Sequence, residues 1–464
     1  MSGLSGYITF RAVRRSQARG CEANTSCQPL PRPAAIKNRE CLEGAMASVL
    51  TLDDINVENK TVLVRVDINC PLLPDTKAFL DTTRIKAIVP TLNKLKDSRV
   101  VLLAHQSRPG KNDFTSTLGH SRELGRILGR PIKWVDDVAG QKAMLAIESL
   151  NVGEILMLNN VRMYADEVNT KGGFDVMADT AMVQNLASVA DVFVYDAFAC
   201  AHRSTPSGVG FTHLIPCVAG ELMRNELNKL DRALDHPARP CIAVLGGIKV
   251  DDSILVADNM LRNNICDQFW PTGGVANLLL ELSGFEIGAV NHDFLVNELG
   301  KNWHQTVETA KSLLQDFAEH IHLPVDIAAN IEDNRVDLAI DQLPIEAPIF
   351  DMGIESILRL SAAIKSAGTI HLNGPAGVFE IEDFAFGTVE MLNACAESKG
   401  YVVVGGGHTS TLIVKHGLRD KMGHMSTGGG ACLDYIAGKN LPAVASLEAS
   451  AKAFTLNIER SLDQ

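Results

Sequence analysis

Directly after runs of aliphatic residues stand Asp67 and Asn69 in VDIN, His105 and Arg108 in HQSR, Arg162 in NNVR, and His202 and Arg203 in DAFACAHR. Arg84 adds a further cation at the start of a helical pattern. Guanidinium groups hold phosphates and carboxylates through paired hydrogen bonds, so these four arginines, brought together, make a pocket for an acid carrying both groups. Taken singly each residue is weak, since a lone surface arginine is usually solvated and a lone histidine more often packs than catalyses. Repetition at equivalent places is what points to a pocket.

The second half fills the same places with glycine: Gly246 and Gly247, Gly273 and Gly274, residues 405–407, and residues 428–430. Glycine lets backbone N–H groups approach phosphate oxygens, and a following helix presents its positive end. YVVVGGGHTS is the best placed, a buried strand running into a glycine turn and then a helix. None of these is a Walker A or GxGxxG sequence. One glycine pair after a strand is more often a tight turn; four in one half favour a nucleotide. Lys249, close behind the first pair, is placed to neutralise a phosphoryl group in transfer, or else it merely opens a helix surface. Asn373 heads an NGP turn, and Glu380 beyond it can accept hydrogen bonds from ribose hydroxyls or stand solvated. One half offers cations and the other phosphate cradles, the two surfaces that a kinase closes across a cleft.

The acceptor is expected to be a carboxylate. A hydroxyl acceptor usually needs a base, whereas a carboxylate is already ionised at neutral pH and needs only offset of anion repulsion. The excess of arginine over candidate bases fits the second case. Two alternatives remain at this stage: a kinase of the same architecture acting on another small phosphorylated acid or a hydroxyl, with Asp67 as base, and a silent sensor of nucleotide or phospho-acid.

The elements that must position these groups alternate. TVLVRVD, VVLLAH, EILMLN and DVFVYD read as buried parallel strands, with helical patterns such as TRIKAIVPTLNKLK between them and Pro90 at a kink or turn end. CIAVLGG, ICDQFWPTGG, AGTIHLNGP and YVVVGGG repeat the alternation. This predicts an α/β fold of two doubly wound parallel-sheet (Rossmann-like) domains, the expected number for 464 residues. Leu222, Leu227, Leu230 and Leu234 fall at helical intervals in the connecting segment, before Pro237 and Pro240. The expected division is an acid-binding domain over 47–220, a hinge helix over 221–237, a nucleotide-binding domain over 238–440, and a segment 441–464 that returns to the first domain. Residues 1–46 are Arg-rich and acid-poor. Such a start can be an organelle presequence, but it is read as a disordered extension or a start placed upstream of Met46. A net charge of −12 argues against nucleic-acid binding, and no apolar run is long enough to span a bilayer. Ten scattered cysteines without zinc spacing read as reduced thiols of a cytoplasmic protein with no obligate partner evident.

VLVRVDINCPL, TTRIKAIVPTL, LLAHQSRPG, LNNVRMY, YDAFACAHRSTPS, AVLGGIKVDDSI, TGGVAN, LNGPAGVFE, FAFGTVE, VVVGGGHT and MSTGGGACLD resemble, in order, the motifs of the phosphoglycerate kinase family. The HQSRP and GGGHT forms are similar to its archaeal branch. The resemblance implies phosphoryl transfer between ATP and the carboxylate of 3-phosphoglycerate, giving ADP and 1,3-bisphosphoglycerate, with Mg2+ carried by the nucleotide. It implies that Asp67, Ile68 and Asn69 orient the glycerate, with Asp67 bonding its hydroxyl. His105, Gln106, Ser107, Arg108, Arg162 and Arg203 would bind the non-reacting phosphate, and Arg84 would sit at the reacting carboxylate. Gly246, Lys249, Gly273, Asn373, Glu380, Gly406, Gly407, His408 and Thr409 would form the nucleotide side, with Lys249 also catalytic. Ser253 stands where many members carry a second lysine, His408 where an aspartate helps hold the metal, and Ile354 where proline is common. The first two read as archaeal variants and leave the metal without an obvious protein carboxylate.

Overall fold

The computed structural model describes residues 49–462, apart from the side chains of His408 and residues 456–462. The extension expected over 1–46 lies outside the described residues, and so does the His408 side chain expected at the nucleotide.

Aliphatic runs with few polar interruptions cannot present a face to water, and here they fold as strands covered on both sides. β1 (Thr61–Val66), β2 (Arg99–Leu103), β3 (Lys133–Trp134), β4 (Ile155–Met157), β5 (Val192–Asp196) and β6 (Cys217–Ala219) make one parallel sheet in the order β3-β4-β2-β1-β5-β6. Alternate residues of β1 go to opposite faces. Val62, Val64 and Val66 join Ile85, Ile88 and Leu92 in one cluster, and Leu63 joins Phe193 and Tyr195 in another. The expected strands are found slightly shortened, while the brief β3 and β6 were not foreseen. Pro90 does not kink one long helix. It sits in the first turn of Val89–Lys94, just after the helix Thr83–Ala87, where its missing N–H has no partner to lose.

The second half supplies β7 (Cys241–Leu245), β8 (Gln268–Pro271), β9 (Asp326–Ile331), β10 (Asn334–Ala339), β11 (Ile349–Met352), β12 (Thr369–Asn373), β13 (Tyr401–Gly405) and β14 (His424–Met425). The order β14-β13-β12-β7-β8 is again parallel, while β10-β9-β11 forms a separate antiparallel sheet absent from the sequence reading. Each parallel sheet has a strand from which the chain runs both ways, β1 in the first and β7 in the second. The crevice beyond such a strand is where open α/β sheets take ligands.

The helix Glu221–Leu234 joins the two lobes. Its N-cap, Gly220, has no side chain, and Asp196 at the end of β5 serves instead. Asp196 accepts from Met223 N at 3.1 Å and from Thr91 Oγ1 at 2.6 Å. Burial nevertheless pushes its carboxyl up to about 7. Met223, Leu227 and Leu230 are buried, whereas Leu222 and Leu234 are only half-buried. Toward the second lobe, Ala233 O accepts from His371 Nε2 at 3.1 Å. Glu226, also buried, lies 2.8 Å from His424 Nε2 and accepts from both Thr427 N and Thr427 Oγ1 at 2.7 Å. Burial pushes the Glu226 carboxyl up, but the His424 and Thr427 contacts outweigh it and leave the pKa below the usual value.

A carboxyl whose folded pKa is depressed stabilises the fold above its unfolded pKa and loses that contribution as pH falls through the folded value. Glu226→Gln should therefore lower stability by about 2 kcal/mol at pH 7, the worth of hydrogen bonds to a charged group. The gap from the parent should shrink as pH falls below about 4.5. Urea midpoints measured from pH 7 to pH 3 check this, and a gap that widens on acidification would contradict it.

The helix Pro442–Leu462 returns to the first lobe. Ala443 N donates to Ala201 O at 3.1 Å, Ser446 Oγ meets Thr212 Oγ1 at 2.6 Å, and Ser450 Oγ accepts from Cys217 N at 3.0 Å.

Candidate active site

The first cluster is built on the loops that leave β1, β2, β4 and β5. Asp67, 4% exposed, has both oxygens engaged: Asn69 N donates to Oδ1 at 3.0 Å, and Arg84 Nη1 is ion-paired with Oδ2. Asn69 Oδ1 in turn accepts from Ser107 N at 2.8 Å. Ser107 has φ of 57°, and its carbonyl accepts from Arg162 Nη1. Gln106 is a buried strut. Its amide exchanges hydrogen bonds with Cys70 N and O at 3.1 and 3.0 Å, and its carbonyl takes Asn160 Nδ2 at 2.8 Å. Ile68 is fully buried in the core, so its side chain supports the turn and only its backbone can face a ligand.

His105 is 2% exposed, and Arg65 Nη2 donates to its Nδ1 at 2.9 Å. A guanidinium can only donate, so Nδ1 is the acceptor and the ring proton sits on Nε2. Burial, with the Arg65, Arg162, Arg203 and Arg84 guanidiniums around it, holds the His105 pKa well below its usual value. His105 is therefore a neutral donor at physiological pH and adds no cation to the pocket. Burial and the Arg203 and Arg65 charges also push the Arg162 pKa down, the mark of crowded like charges that an anion relieves. Arg84, Arg162 and Arg203 thus all bring their charges to bear on His105. Arg108 does not share in this; it stands exposed on the loop after β2.

Arg65 is the member that sequence reading missed. It lies within β1 at 4% exposure, bonded by Nε to Ser207 Oγ at 3.0 Å, and Ser207 Oγ donates to Glu167 at 2.7 Å. The signal was present: one arginine inside an otherwise aliphatic strand, TVLVRV, must find buried partners.

The glycines of the second lobe divide into three kinds. Those at the switch point are for packing. Gly246 N donates to Asn373 O at 2.8 Å, Gly247 N to Pro375 O at 2.9 Å, and Gly274 N to Gly247 O at 3.1 Å. A Cβ on Gly374, at φ 82°, would lie 2.1 Å from Gly246 O, and one on Gly273 3.0 Å from Gly247 N. The 405–407 turn is different. A Cβ on Gly407 would meet nothing within 4 Å, and the helix Gly407–Lys415 opens there beside Asn373, whose Oδ1 would lie 2.7 Å from a Cβ on Gly406. Thr409 Oγ1 is buried there and makes no hydrogen bond. Free amides at a helix start with an unsatisfied hydroxyl suit phosphate oxygens. The third kind is mixed: a Cβ on Gly428 would lie 2.4 Å from the Phe198 ring, so that residue packs the lobes together, whereas a Cβ on Gly429 or Gly430 would meet nothing within 4 Å. Lys249 is exposed at the start of Val250–Arg262, and Glu380 is exposed on the loop after β12. Ser253 is fully buried in that helix and its hydroxyl makes no hydrogen bond.

Two sets of groups invite a cation. Asp67, His105 and Cys200 bring potential ligand atoms within 4.8 Å of one another. They do not fit one: Asp67 is held by Arg84, His105 Nδ1 by Arg65, and burial ahead of the neighbouring Asp67 charge raises the Cys200 thiol to about 11. Around the 405–407 turn the oxygens on hand are the Asn373 side-chain carbonyl and the Thr409 hydroxyl. Neutral oxygens suit Mg2+ arriving on a phosphate rather than a free ion held by the protein.

Comparison with known proteins adds four findings. The family model described as phosphoglycerate kinase matches residues 52–439. A phosphoglycerate kinase of Methanothermobacter thermautotrophicus is 46% identical over 402 residues, covering 86% of this chain and 97% of the relative. The crystal structure of phosphoglycerate kinase from Pyrococcus horikoshii superposes with a TM-score of 0.77 at 37% identity, over 87% of this chain and 100% of that one. The structure of the Coxiella burnetii enzyme gives 0.69 at 31% identity, over 86% and 98%.

Proposed function

The chain belongs to the phosphoglycerate kinase family, and from that premise we propose how its own residues carry out the reaction. The reaction is reversible phosphoryl transfer between ATP and the carboxylate of 3-phosphoglycerate, giving ADP and 1,3-bisphosphoglycerate. It makes the protein a phosphotransferase with a carboxyl acceptor, a step of glycolysis and gluconeogenesis.

The convergence of Arg84, Arg162, Arg203 and Arg65 on His105 carries the assignment of roles. Arg162 and Arg203 hold the non-reacting phosphate, with neutral His105 donating from Nε2. Gln106 and Ser107 fix the turn beneath the acid, and Arg108 reaches it from the solvent side. Asp67 and Asn69 orient the glycerate hydroxyl. Arg84, a third exposed and anchored by Asp67, faces the cleft and steadies the phosphoryl group between donor and acceptor. Phosphates rest on the amides of Gly406 and Gly407, on Thr409 and on Asn373, while Gly246 and Gly273 shape the floor of the seat. Lys249 reaches in to neutralise the group in transfer, and Glu380 takes the ribose hydroxyls. Mg2+ brought by the nucleotide would offset phosphate charge, with the Asn373 side-chain carbonyl and the Thr409 hydroxyl as the neutral oxygens beside it. The domain division supporting this is an acid lobe over 47–220, a hinge over 221–237, a nucleotide lobe over 238–440 and a return segment over 441–464. The two-sided bonding of Glu221–Leu234 supports the hinge, and the contacts of Pro442–Leu462 on β6 support the return. Among the described residues no helix is long and apolar enough to cross a membrane, which is consistent with the cytoplasmic location we assign.

Asp67 separates a carboxylate acceptor from a hydroxyl one. Both its oxygens are already occupied, which suits an orienting group better than a base. Asp67→Asn should raise the KM for 3-phosphoglycerate and leave kcat within about tenfold of the parent, whereas loss of a general base would cost about 10²–10⁴-fold. A coupled dehydrogenase assay following NADH reads both constants, and near-abolition of kcat would restore the base role.

A further inference from the structure

Glu380 stands exposed on the loop that runs from Gly377 into the first turn of the helix Phe386–Glu397, which holds Gly387, and an exposed carboxylate has no fixed position unless its loop does. This loop is gripped from below. The Asp351 side chain, 0% exposed, lies under both ends of it. Its Oδ2 accepts from Gly387 N at 2.8 Å, and its Oδ1 accepts from Met352 N at 2.9 Å. A Cβ on Gly377 would lie 2.6 Å from the Asp351 carboxyl, and one on Gly387 2.2 Å from it. Only glycine lets the two ends close that tightly on the acid.

Arg335 completes the grip. It comes from β10, presented by a two-residue hairpin in which Glu332 and Asp333 have φ of 49° and 62°. Its Nη1 donates to Asp351 Oδ2 and to Asp383 O, each at 2.9 Å, and its Nη2 donates to Met352 O at 2.8 Å. Asp337 braces it on the outer side at 3.1 Å, and the Phe384 and Phe386 rings lie 6.0 Å away. One guanidinium therefore ties β11, the buried carboxylate and the crest of the Glu380 loop together.

We infer that Arg335 and Asp351 are positioning residues for the nucleotide, holding the 377–387 loop so that Glu380 stands where the ribose hydroxyls arrive. The inference rests on the reading of Glu380 as the ribose contact. It gives the antiparallel sheet a purpose: β10 exists to carry a cation beneath a loop of the neighbouring parallel sheet.

The test compares ATP with 2′,3′-dideoxy-ATP in the full chain, reading kcat/KM for each and KM for 3-phosphoglycerate. The parent should prefer ATP, and Glu380→Gln should cut that preference on the order of tenfold, as expected for hydrogen bonds to a charged acceptor. Arg335→Gln should cut it by a similar factor with KM for 3-phosphoglycerate unchanged, and adding Glu380→Gln to it should cost little more. Arg335→Lys, which keeps the charge opposite Asp351 and guards against simple misfolding, should recover part of the preference. Equal losses for both nucleotides in Arg335→Gln would mean a merely structural role and overturn the inference. So would full preference in Arg335→Gln beside a diminished one in Glu380→Gln. Undiminished preference in Glu380→Gln would remove the ribose reading, and this inference with it.

Discussion

Arg84→Ala should lower kcat by about 10³-fold or more, the scale of other arginines that meet transition-state charge in phosphoryl transfer. The fold should survive. Arg84 projects from the short helix Thr83–Ala87 with a side chain 36% exposed, so its loss opens no cavity in the core, and the cost to stability is the ion pair that the 4% exposed Asp67 loses. The reaction brings an anionic phosphoryl group onto an anionic carboxylate. With no proton to remove, offset of that repulsion is the chief task left to the protein. Arg162 is held on the Ser107 carbonyl, and of Arg84, Arg162 and Arg203 it is Arg84 that is ion-paired to Asp67. Binding of 3-phosphoglycerate, measured by calorimetry, should weaken far less than turnover falls. A variant that keeps kcat within tenfold would show that the transferred group is stabilised elsewhere, with Lys249 the remaining candidate.

The second large effect is expected where two turns of the nucleotide lobe meet. Gly374→Ala places a methyl 2.1 Å from Gly246 O in a residue at φ 82°. The left-handed conformation costs an L-residue about 1–2 kcal/mol, and the overlap with backbone adds about 1–3 kcal/mol. The backbone bonds from Gly246 and Gly247 to Asn373 and Pro375 must shift, and Asn373 carries the carbonyl that faces Gly406. Both stability and nucleotide affinity should therefore fall, with acid affinity retained. Gly407→Ala is the informative contrast. Its Cβ meets nothing in the protein, so stability should stay within about 0.5 kcal/mol, while nucleotide affinity should drop if phosphate lies against that amide. Calorimetric titration of ADP into both variants, beside urea midpoints, distinguishes a turn needed for packing from one needed for the ligand. Unaltered ADP binding by Gly407→Ala would move the phosphate seat elsewhere.

Much of this was legible in the sequence because strand ends are local. VDIN, HQSR, NNVR and DAFACAHR each follow a buried run, and parallel pairing lines up all such ends on one edge of a sheet. That topology brings Arg162 and Arg203 to one edge, while Arg84 arrives from the helix Thr83–Ala87 and is tied to the strand end by Asp67. What escaped were features whose cause is remote in the chain. Arg65 looked like an interruption of β1 because its partners, His105 and Ser207, lie 40 and 142 residues further on. The glycine turns at 246–247 and 428–430 looked alike, but the first packs against a neighbouring turn of its own lobe, while in the second only Gly428 packs, against Phe198 of the first lobe. The antiparallel sheet was missed although DIAANI and NRVDLA flank a two-residue acidic turn, since Glu332 and Asp333 are not the Asn-Gly pair that usually announces such a hairpin.

The helix Pro442–Leu462 also sets an order of events at the ribosome. Its Ser446 and Ser450 complete the hydrogen bonding of Thr212 and of the outer strand β6, more than 200 residues earlier in the chain. While those residues are still being translated, the first lobe can collapse but stays open along that flank. Synthesis from one end to the other therefore finishes the nucleotide lobe before the lobe that was begun first.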